Sequence, residues 1–326
     1  MKKLISLSAI ISLVASACTT SVIDAPEEKS QAIAFGGPQA ESRAAIEAGY
    51  FPTTSTFKVW GGYGDTDATV NPKKLFDGVE IIYTEESKWH YEGYPRFWVG
   101  GKTHKFYAVY PMEPEATSDV SEDGILTVTG FDSSHTGADA IDLMTAFHSR
   151  VTSEDLNQQE VAAVSFKFKH ELSRVNVKVK AVNTPVTVNE IKIYGISKIG
   201  TLEKTYNDNN DNSSWSLNEA ITAENTPFVV SDDFVLGESE VWERNAFGDM
   251  LLIPQGLVEA KLDISYRYAG DTADRTSTIN LNTATTTEWK AGTSYNYSIT
   301  INGLSNISIT VSVNPWEEEN TSVSWE

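Results

Sequence analysis

Short runs of alternating apolar and polar residues constrain the fold of this chain more than any other feature. Apolar residues occupy every second position of Lys261–Tyr268, of residues 294–301 and of residues 307–313. An extended chain sends successive side chains to opposite faces, so a period of two predicts strands with one apolar face. Gly, Pro, Asn and Asp separate these runs at short intervals, which is typical of antiparallel β-sandwiches. We therefore predict an all-β fold.

The phase of the alternation changes once within two neighbouring runs. The apolar residues lie first on even and then on odd positions: Val164, Phe166 and Phe168, followed by Val175, Val177 and Val179. A strict period of two cannot keep both sets on one face of one strand. The change predicts a bulge or a crossing near Ser173 and Arg174.

Length and composition limit the domain count and the class of function. The chain has 326 residues, which suggests about two domains. The polar residues 149–160 lack aromatic side chains, and we place the boundary there, giving domains at 44–160 and 161–326. With 45 acidic against 25 basic residues, the net charge of −20 argues against nucleic acid as a partner. A lone cysteine excludes intramolecular disulfides and cysteine-rich metal sites.

The amino terminus predicts export. Two lysines precede an apolar stretch that ends at Ala17, which is too short for a membrane span and typical of a signal peptide over residues 1–17. The sequence Ala15-Ser16-Ala17-Cys18 resembles the lipobox of bacterial lipoproteins, in which the cysteine is acylated. Residues 18–43 are then expected to form a flexible tether and processing segment. Ordinary signal-peptidase cleavage, with Cys18 an incidental thiol, is the alternative.

Motifs for catalysis or metal binding fail at required positions. His170-Glu171 begins like a zinc-protease helix, but Arg174 stands where the second histidine is needed. Asp208 and the asparagines that follow it match a calcium loop loosely, with Ser213 in place of the required glycine. We also find no nucleophile elbow, P-loop or dinucleotide fingerprint. The sequence therefore predicts no catalytic residues, no metal site and no cofactor, and a structural, hydrogen-bonded role for His170.

Several short blocks follow one another along the chain. They are Ser42-Arg43-Ala44, an aromatic block made of Trp89, Phe97-Trp98 and residues 105–111, and further blocks at residues 142–144, 168–174, 252–255, 289–297 and 313–316. Together they span nearly the whole chain after the signal peptide. In this order the blocks resemble those of the fimbrillin family of type V pilus subunits, and Ser42-Arg43-Ala44 is similar to the processing segment of that family.

The resemblance implies two tandem transthyretin-like β-sandwich domains and a lipoprotein that is exported to the outer membrane and cell surface. It implies lipidation at Cys18 and cleavage by a protease between Arg43 and Ala44, after which a strand from a neighbouring subunit fills the exposed groove. The candidate donor strand carries Ile307, Ile309, Val311 and Val313. The open alternatives are an uncleaved, tethered protein and an ordinary last strand.

The leading hypothesis is therefore a structural or accessory subunit of a fimbrium, not an enzyme. Its partners would be other pilin subunits, the outer membrane through the lipid, a processing protease, and a host or glycan ligand. The second hypothesis is a surface glycan-binding lipoprotein on the same fold, since the chain has eight tryptophans. Core packing is the first expectation for Trp60, Trp89 and Trp98, which lie inside strand patterns. An unrecognised hydrolase is the third hypothesis.

Overall fold

A computed structural model describes residues 30–40, 56–65, 73–84, 88–111, 116–157, 160–206, 211–218, 227–237, 244–303 and 307–316. Its regular structure over these ranges consists of strands and one 3-10 helix at Gly137–Asp139. The predicted all-β class is confirmed. Within the same ranges no helix is long and apolar enough to cross a membrane.

The strands are numbered in chain order. They are β1 (Gln39–Ala40), β2 (Phe57–Gly64), β3 (Lys73–Thr84), β4 (Lys88–His90), β5 (Thr103–Tyr110), β6 (Thr117–Val120), β7 (Leu126–Asp132), β8 (Met144–Val151), β9 (Lys167–His170), β10 (Ser173–Val182), β11 (Val186–Tyr194), β12 (Ile199–Thr205), β13 (Asn212–Leu217), β14 (Phe228–Val230), β15 (Phe234–Leu236), β16 (Arg244–Asn245), β17 (Met250–Leu252), β18 (Lys261–Tyr268), β19 (Arg275–Asn280), β20 (Thr293–Asn302) and β21 (Ser308–Pro315).

A seven-stranded sheet with the order β1-β9-β8-β5-β2-β3-β4 organises the first part of the fold. Its two faces carry separate cores because side chains alternate along each strand. One face contributes Phe57, Val59 and Phe106 to a core that Ile33 and Phe35 help to cover. The other face contributes Trp60 and Tyr107, among others, to a core shared with a second sheet.

That second sheet has four strands in the order β13-β12-β7-β6. Leu126 and Val128 of β7 and Leu202 of β12 are fully buried against the seven-stranded sheet. The strands β12 and β13 come late in the chain, yet they extend a sheet begun by β6 and β7. The first sheet pair is therefore completed by a hairpin from beyond residue 198.

Two five-stranded sheets enclose the largest core. One has the order β16-β10-β20-β21 with β17 also paired to β10, and the other has β14-β11-β18-β19 with β15 also paired to β11. β10 and β20 run parallel over ten residue pairs, whereas β20 and β21 run antiparallel. The alternation predicted for β18 and β20 is confirmed, since Leu262, Ile264, Tyr297 and Ile299 are buried between the sheets.

The predicted change of phase corresponds to a crossing between sheets. β9 ends at His170 in the seven-stranded sheet, and β10 begins at Ser173 in a five-stranded sheet. The two intervening residues, Glu171 and Leu172, are buried at the junction. The even and odd sets of apolar residues can thus face different cores.

The boundary near residue 160 and the division into two transthyretin-like domains stay predictions. Strand pairing crosses the boundary, because β9 pairs with both β8 and β1 and β12 pairs with β7. A seven-stranded sheet packed on a four-stranded one and two packed five-stranded sheets are the architecture that the structure shows.

Candidate functional site

The N-terminal segment, residues 30–40, lies in a groove instead of extending from the fold. On one side its backbone pairs with the chain that follows β4. The amide of Ile33 donates to the carbonyl of Arg96 at 2.7 Å, and the amide of Trp98 donates to the carbonyl of Gln31 at 2.9 Å. The part of the predicted tether that the structure describes is therefore a bound, extended strand.

The opposite side of the segment pairs with the chain that leads into β9. The amide of Val164 donates to the carbonyl of Ala34, and the amide of Gly36 donates to the carbonyl of Val164, both at 2.8 Å. Three residues after Gly36, β1 continues this pairing in parallel with β9. The segment thus bridges two stretches of chain that are more than sixty residues apart in the sequence.

Side chains of the segment alternate between the core and the surface. Ile33 is 2% exposed and Phe35 is 5% exposed, whereas Ala32 and Ala34 are exposed. Large apolar residues on one face and small ones on the other suit a strand whose inner face covers a sheet. The segment therefore completes the core on that face of the seven-stranded sheet.

Phe35 is surrounded by aromatic rings. Its centroid lies 5.4 Å from that of Phe76, 6.0 Å from Tyr91 and 6.4 Å from Phe106, in edge-to-face geometry, and it stacks on Phe166 at 6.0 Å. Burying a phenylalanine contributes about 1.5–3 kcal/mol, and an aromatic pair adds roughly 0.5–1.5 kcal/mol. Phe35 is consequently the main apolar anchor of the segment.

Arg96 closes one wall of the groove. Its guanidinium lies 4.6 Å from the ring centroid of Phe76 and 4.9 Å from that of Tyr91, and its Nε donates to the carbonyl of Leu75. The Tyr91 hydroxyl donates to the carbonyl of Ile33 at 3.2 Å and accepts from the amide of Arg96 at 2.9 Å. Wall and segment therefore share one hydrogen-bonded network.

Trp98 and His104 form the adjoining part of that wall. Their ring centroids are 4.8 Å apart, and the amide of Val99 donates to Nε2 of His104 at 3.3 Å. Burial is the main cause that lowers the pKa of His104 to about 4; a backbone hydrogen bond with Lys102 opposes it, and the nearby charge of Arg150 acts in the same direction as burial. His104 is therefore neutral at physiological pH and can accept this hydrogen bond.

A second polar cluster lies at the junction between the sheets. The carboxylate of Glu171, 1% exposed, accepts hydrogen bonds from Lys204 at 2.6 Å, Thr145 at 2.6 Å and Ser213 at 2.8 Å. The backbone carbonyl of Glu171 accepts from the indole of Trp215 at 3.1 Å. These contacts join β8, β12 and β13 at the crossing from β9 to β10, which gives the cluster a structural role.

His170 occupies the same junction and is hydrogen-bonded, as predicted. Its Nδ1 lies 2.9 Å from Oδ1 of Asp142, and both side chains are buried. The indole of Trp316 stacks on the imidazole with centroids 4.1 Å apart and planes inclined by 15°. Trp316 thereby fixes the end of β21 against the junction.

The predicted site residues divide into two groups. Cys18, Arg43 and Ala44 lie outside the described residues. Residues 307–313 lie on and just before β21, an edge strand paired with β20 over eight residue pairs. Ile307, Ile309 and Val311 pack partly against the core, whereas Val313 is 45% exposed.

Sequence reasoning missed the groove and the residues that fill it. The prediction of a flexible tether over residues 18–43 does not anticipate a buried strand within it. The signal was present in Gln31-Ala32-Ile33-Ala34-Phe35, where large side chains at odd positions alternate with alanines at even positions. The run is too short to identify its partners, which lie far along the chain.

Neither a metal centre nor a glycan-stacking surface emerges from the described ranges. There, no three His, Cys, Asp or Glu side chains converge in a way that could hold a metal ion. Trp60, Trp89 and Trp98 are buried, which confirms the expected core packing, and so are Trp289 and Trp316. Trp215, the remaining tryptophan in these ranges, is half-buried. The glycan-binding hypothesis thus gains no support from an exposed indole.

Comparisons with known proteins agree with this architecture. A sequence profile described as fimbrillin-like matches residues 42–316. A candidate cell adhesion protein from Bacteroides ovatus is similar in structure, with a TM-score of 0.55 and 14% identity, over 89% of this chain and 99% of that chain. One from Bacteroides uniformis has a TM-score of 0.52 and 16% identity, over 87% and 99%. No curated protein matches. The profile covers most of the chain, which therefore belongs to the fimbrillin-like family.

Proposed function

We propose that this chain is a structural subunit of a cell-surface fimbrium, exported as a lipoprotein through Cys18 and cleaved between Arg43 and Ala44. Membership of a family of fimbrial structural proteins supports the subunit role and the surface location. Other pilin subunits are then the main partners, and a protease and the outer membrane act before assembly. A host or glycan ligand would be contacted by the assembled fimbrium.

The position of the N-terminal segment carries the proposal. Residues 30–40 complete a core, and the proposed cleavage site follows only three residues after Ala40. Cleavage there would convert a strand that is part of the chain into a separate peptide that only non-covalent contacts hold. A buried strand placed directly before the proposed cleavage site is what assembly by strand replacement requires.

The energy that holds the segment is modest. Four backbone hydrogen bonds contribute about 1 kcal/mol each. Ile33 and Phe35 add about 1.5–3 kcal/mol each through burial. Ordering six residues costs roughly 1–2 kcal/mol per residue, which offsets most of this gain. While the segment is covalently attached, its effective concentration keeps it bound; after cleavage it can leave.

The vacated groove would then bind an extended strand of another subunit. The carbonyl of Arg96 and the amides of Trp98 and Val164 would present unpaired backbone groups, as at the edge of a sheet. An added strand pairs with such groups and buries alternate side chains. β21 is one candidate donor, because it is an edge strand with an apolar face. Its transfer would break its ladder with β20.

Controlled proteolysis tests this function. The full chain would be treated with an arginine-specific protease and compared with Arg43→Ala, Arg43→Lys and the control Lys29→Ala. Assembly would be followed on denaturing gels without boiling, and the new amino terminus by mass spectrometry. We expect the unmodified chain and Lys29→Ala to gain Ala44 as amino terminus and to form a ladder of polymers.

The two arginine variants should stay full length and monomeric under the same treatment. Trypsin would restore both cleavage and the ladder in Arg43→Lys alone, because it also accepts lysine. Complete cleavage at Ala44 without polymers would contradict strand exchange. Polymers that form equally well from Arg43→Ala would contradict the processing site.

A further inference from the structure

The side chain of Gln31 forms hydrogen bonds with two backbone groups beside the groove. Its Nε2 donates to the backbone carbonyl of Leu156, and its Oε1 accepts from the backbone amide of Val161 at 2.7 Å. The two backbone groups lie five residues apart on the chain between β8 and β9. A single side chain of the N-terminal segment therefore satisfies one donor and one acceptor of the groove wall.

The chemistry of this contact is specific to an amide. Asn and Gln carry a donor and an acceptor side by side on one planar amide, whereas a carboxylate lacks the donor and an aliphatic side chain lacks both. A neutral imidazole carries one of each, but its two ring nitrogens point further apart. Leu156 and Val161 are partly buried against the core, which limits how well water could replace the amide. Gln31 also accepts from Trp98 through its own carbonyl. It thus ties both walls of the groove to one strand.

We propose that Leu156 and Val161 select the strand that occupies the groove by requiring an amide side chain at the position of Gln31. The preferred occupant, in this inference, has Gln or Asn two positions before an aliphatic residue and four positions before an aromatic one. Ile33 and Phe35 supply those two anchors in the N-terminal segment. The inference rests on the proposed strand exchange and adds the chemistry of the incoming partner.

β21 fits this requirement poorly. Its apolar residues Ile309, Val311 and Val313 occupy odd positions, whereas its one amide residue, Asn314, occupies an even one. In an extended strand this amide points away from the apolar face. A partner with an amide on its apolar face should therefore enter the groove in preference to β21 of a second copy.

The test uses the full chain with the recognition sequence of a site-specific protease placed within residues 41–45. After cleavage, release of the N-terminal fragment is measured by size-exclusion chromatography and mass spectrometry at increasing urea. The variants are Gln31→Leu, Gln31→Asn and the control Thr276→Leu, which adds an apolar side chain at an exposed position of β19, outside the groove. Peptides of residues 30–40, with and without Gln31→Leu, and a peptide of residues 306–315 then compete for the groove without urea.

We expect Gln31→Leu to weaken retention and peptide binding about tenfold, because two neutral hydrogen bonds are lost. Gln31→Asn should retain more fragment than Gln31→Leu, and Thr276→Leu should behave like the unmodified chain. If packing alone mattered, the more apolar leucine would bind at least as tightly as glutamine. Equal or tighter retention of Gln31→Leu would therefore overturn the inference.

The peptide of residues 306–315 tests the amide requirement with a strand that carries no amide on its apolar face. Binding as tight as that of the 30–40 peptide would overturn the amide requirement, whereas weaker binding supports it. If the wild-type fragment never leaves without urea and no peptide enters, strand exchange itself fails. The urea comparison of Gln31 variants would still decide whether the groove selects an amide.

Discussion

Replacing Lys204 by methionine should destabilise the fold strongly. Its Nζ lies 2.6 Å from Oε1 of Glu171, and the side chains of the pair are 5% and 1% exposed. Methionine is similar in length but carries no charge or donor. The substitution would leave the carboxylate of Glu171 buried, with only the hydroxyls of Thr145 and Ser213 to donate to it.

The expected cost is about 3–5 kcal/mol in the free energy of unfolding, since an uncompensated charge remains in the interior. That loss corresponds to a decrease of roughly 5–10 °C in Tm. The wild-type ion pair itself contributes much less, because attraction and loss of hydration nearly cancel. The double variant with Glu171→Gln should thus recover most of the loss, since the glutamine oxygen is neutral and can still accept hydrogen bonds.

Urea unfolding followed by tryptophan fluorescence and circular dichroism would measure these differences. Lys169→Met is the matched control, because Lys169 pairs with Asp211 near the surface at 3.1 Å and its side chain is 44% exposed. We expect that control to change stability by less than about 1 kcal/mol. A loss below 1 kcal/mol for Lys204→Met, or a double variant as unstable as the single one, would refute the reasoning.

Three further predictions concern other contacts. The pKa of His104 is lowered from 6.5 to about 4, so its neutral form contributes stability above pH 6.5 that is lost towards pH 4. His104→Gln should flatten the pH dependence of unfolding by up to about 3 kcal/mol. Trp316→Ala should cost about 3–5 kcal/mol and speed hydrogen exchange in β21, measured by mass spectrometry. Gly195→Ala should cost at least about 2 kcal/mol in thermal unfolding, because its φ is +73° and a Cβ would lie 1.9 Å from the carbonyl oxygen of Glu259. Gly270→Ala, with φ +91° and open space, should cost less.

The alternation of side chains made much of the fold predictable. The buried faces of β10, β18 and β20 follow from residues such as Val177, Ile264 and Ile299, whose neighbours in sequence are polar. The change of phase between Phe168 and Val175 predicted the crossing between sheets. These inferences succeed because a period of two is a local property that burial on one face imposes on each strand.

The candidate site was less predictable, because its contacts are not local. Ile33 and Phe35 match a strand pattern, but the pattern does not show that their partners are Arg96, Trp98 and Val164. Similarly, His170 could be predicted to form a hydrogen bond, but the identity of Asp142 as its partner could not. Pairing over such separations depends on which strand edges remain open after the sheets form.

Residue pattern alone is sufficient to predict the all-β class, the apolar faces of the long strands and the family resemblance. The tertiary structure decided that the N-terminal segment is a core strand and that the hairpin of β12 and β13 completes an earlier sheet. It also decided that Gln31 meets Leu156 and Val161. The physical reason is that each residue's own chemistry sets its preference for burial or exposure, whereas backbone hydrogen bonding is common to all residues and finds its partners only in the assembled fold.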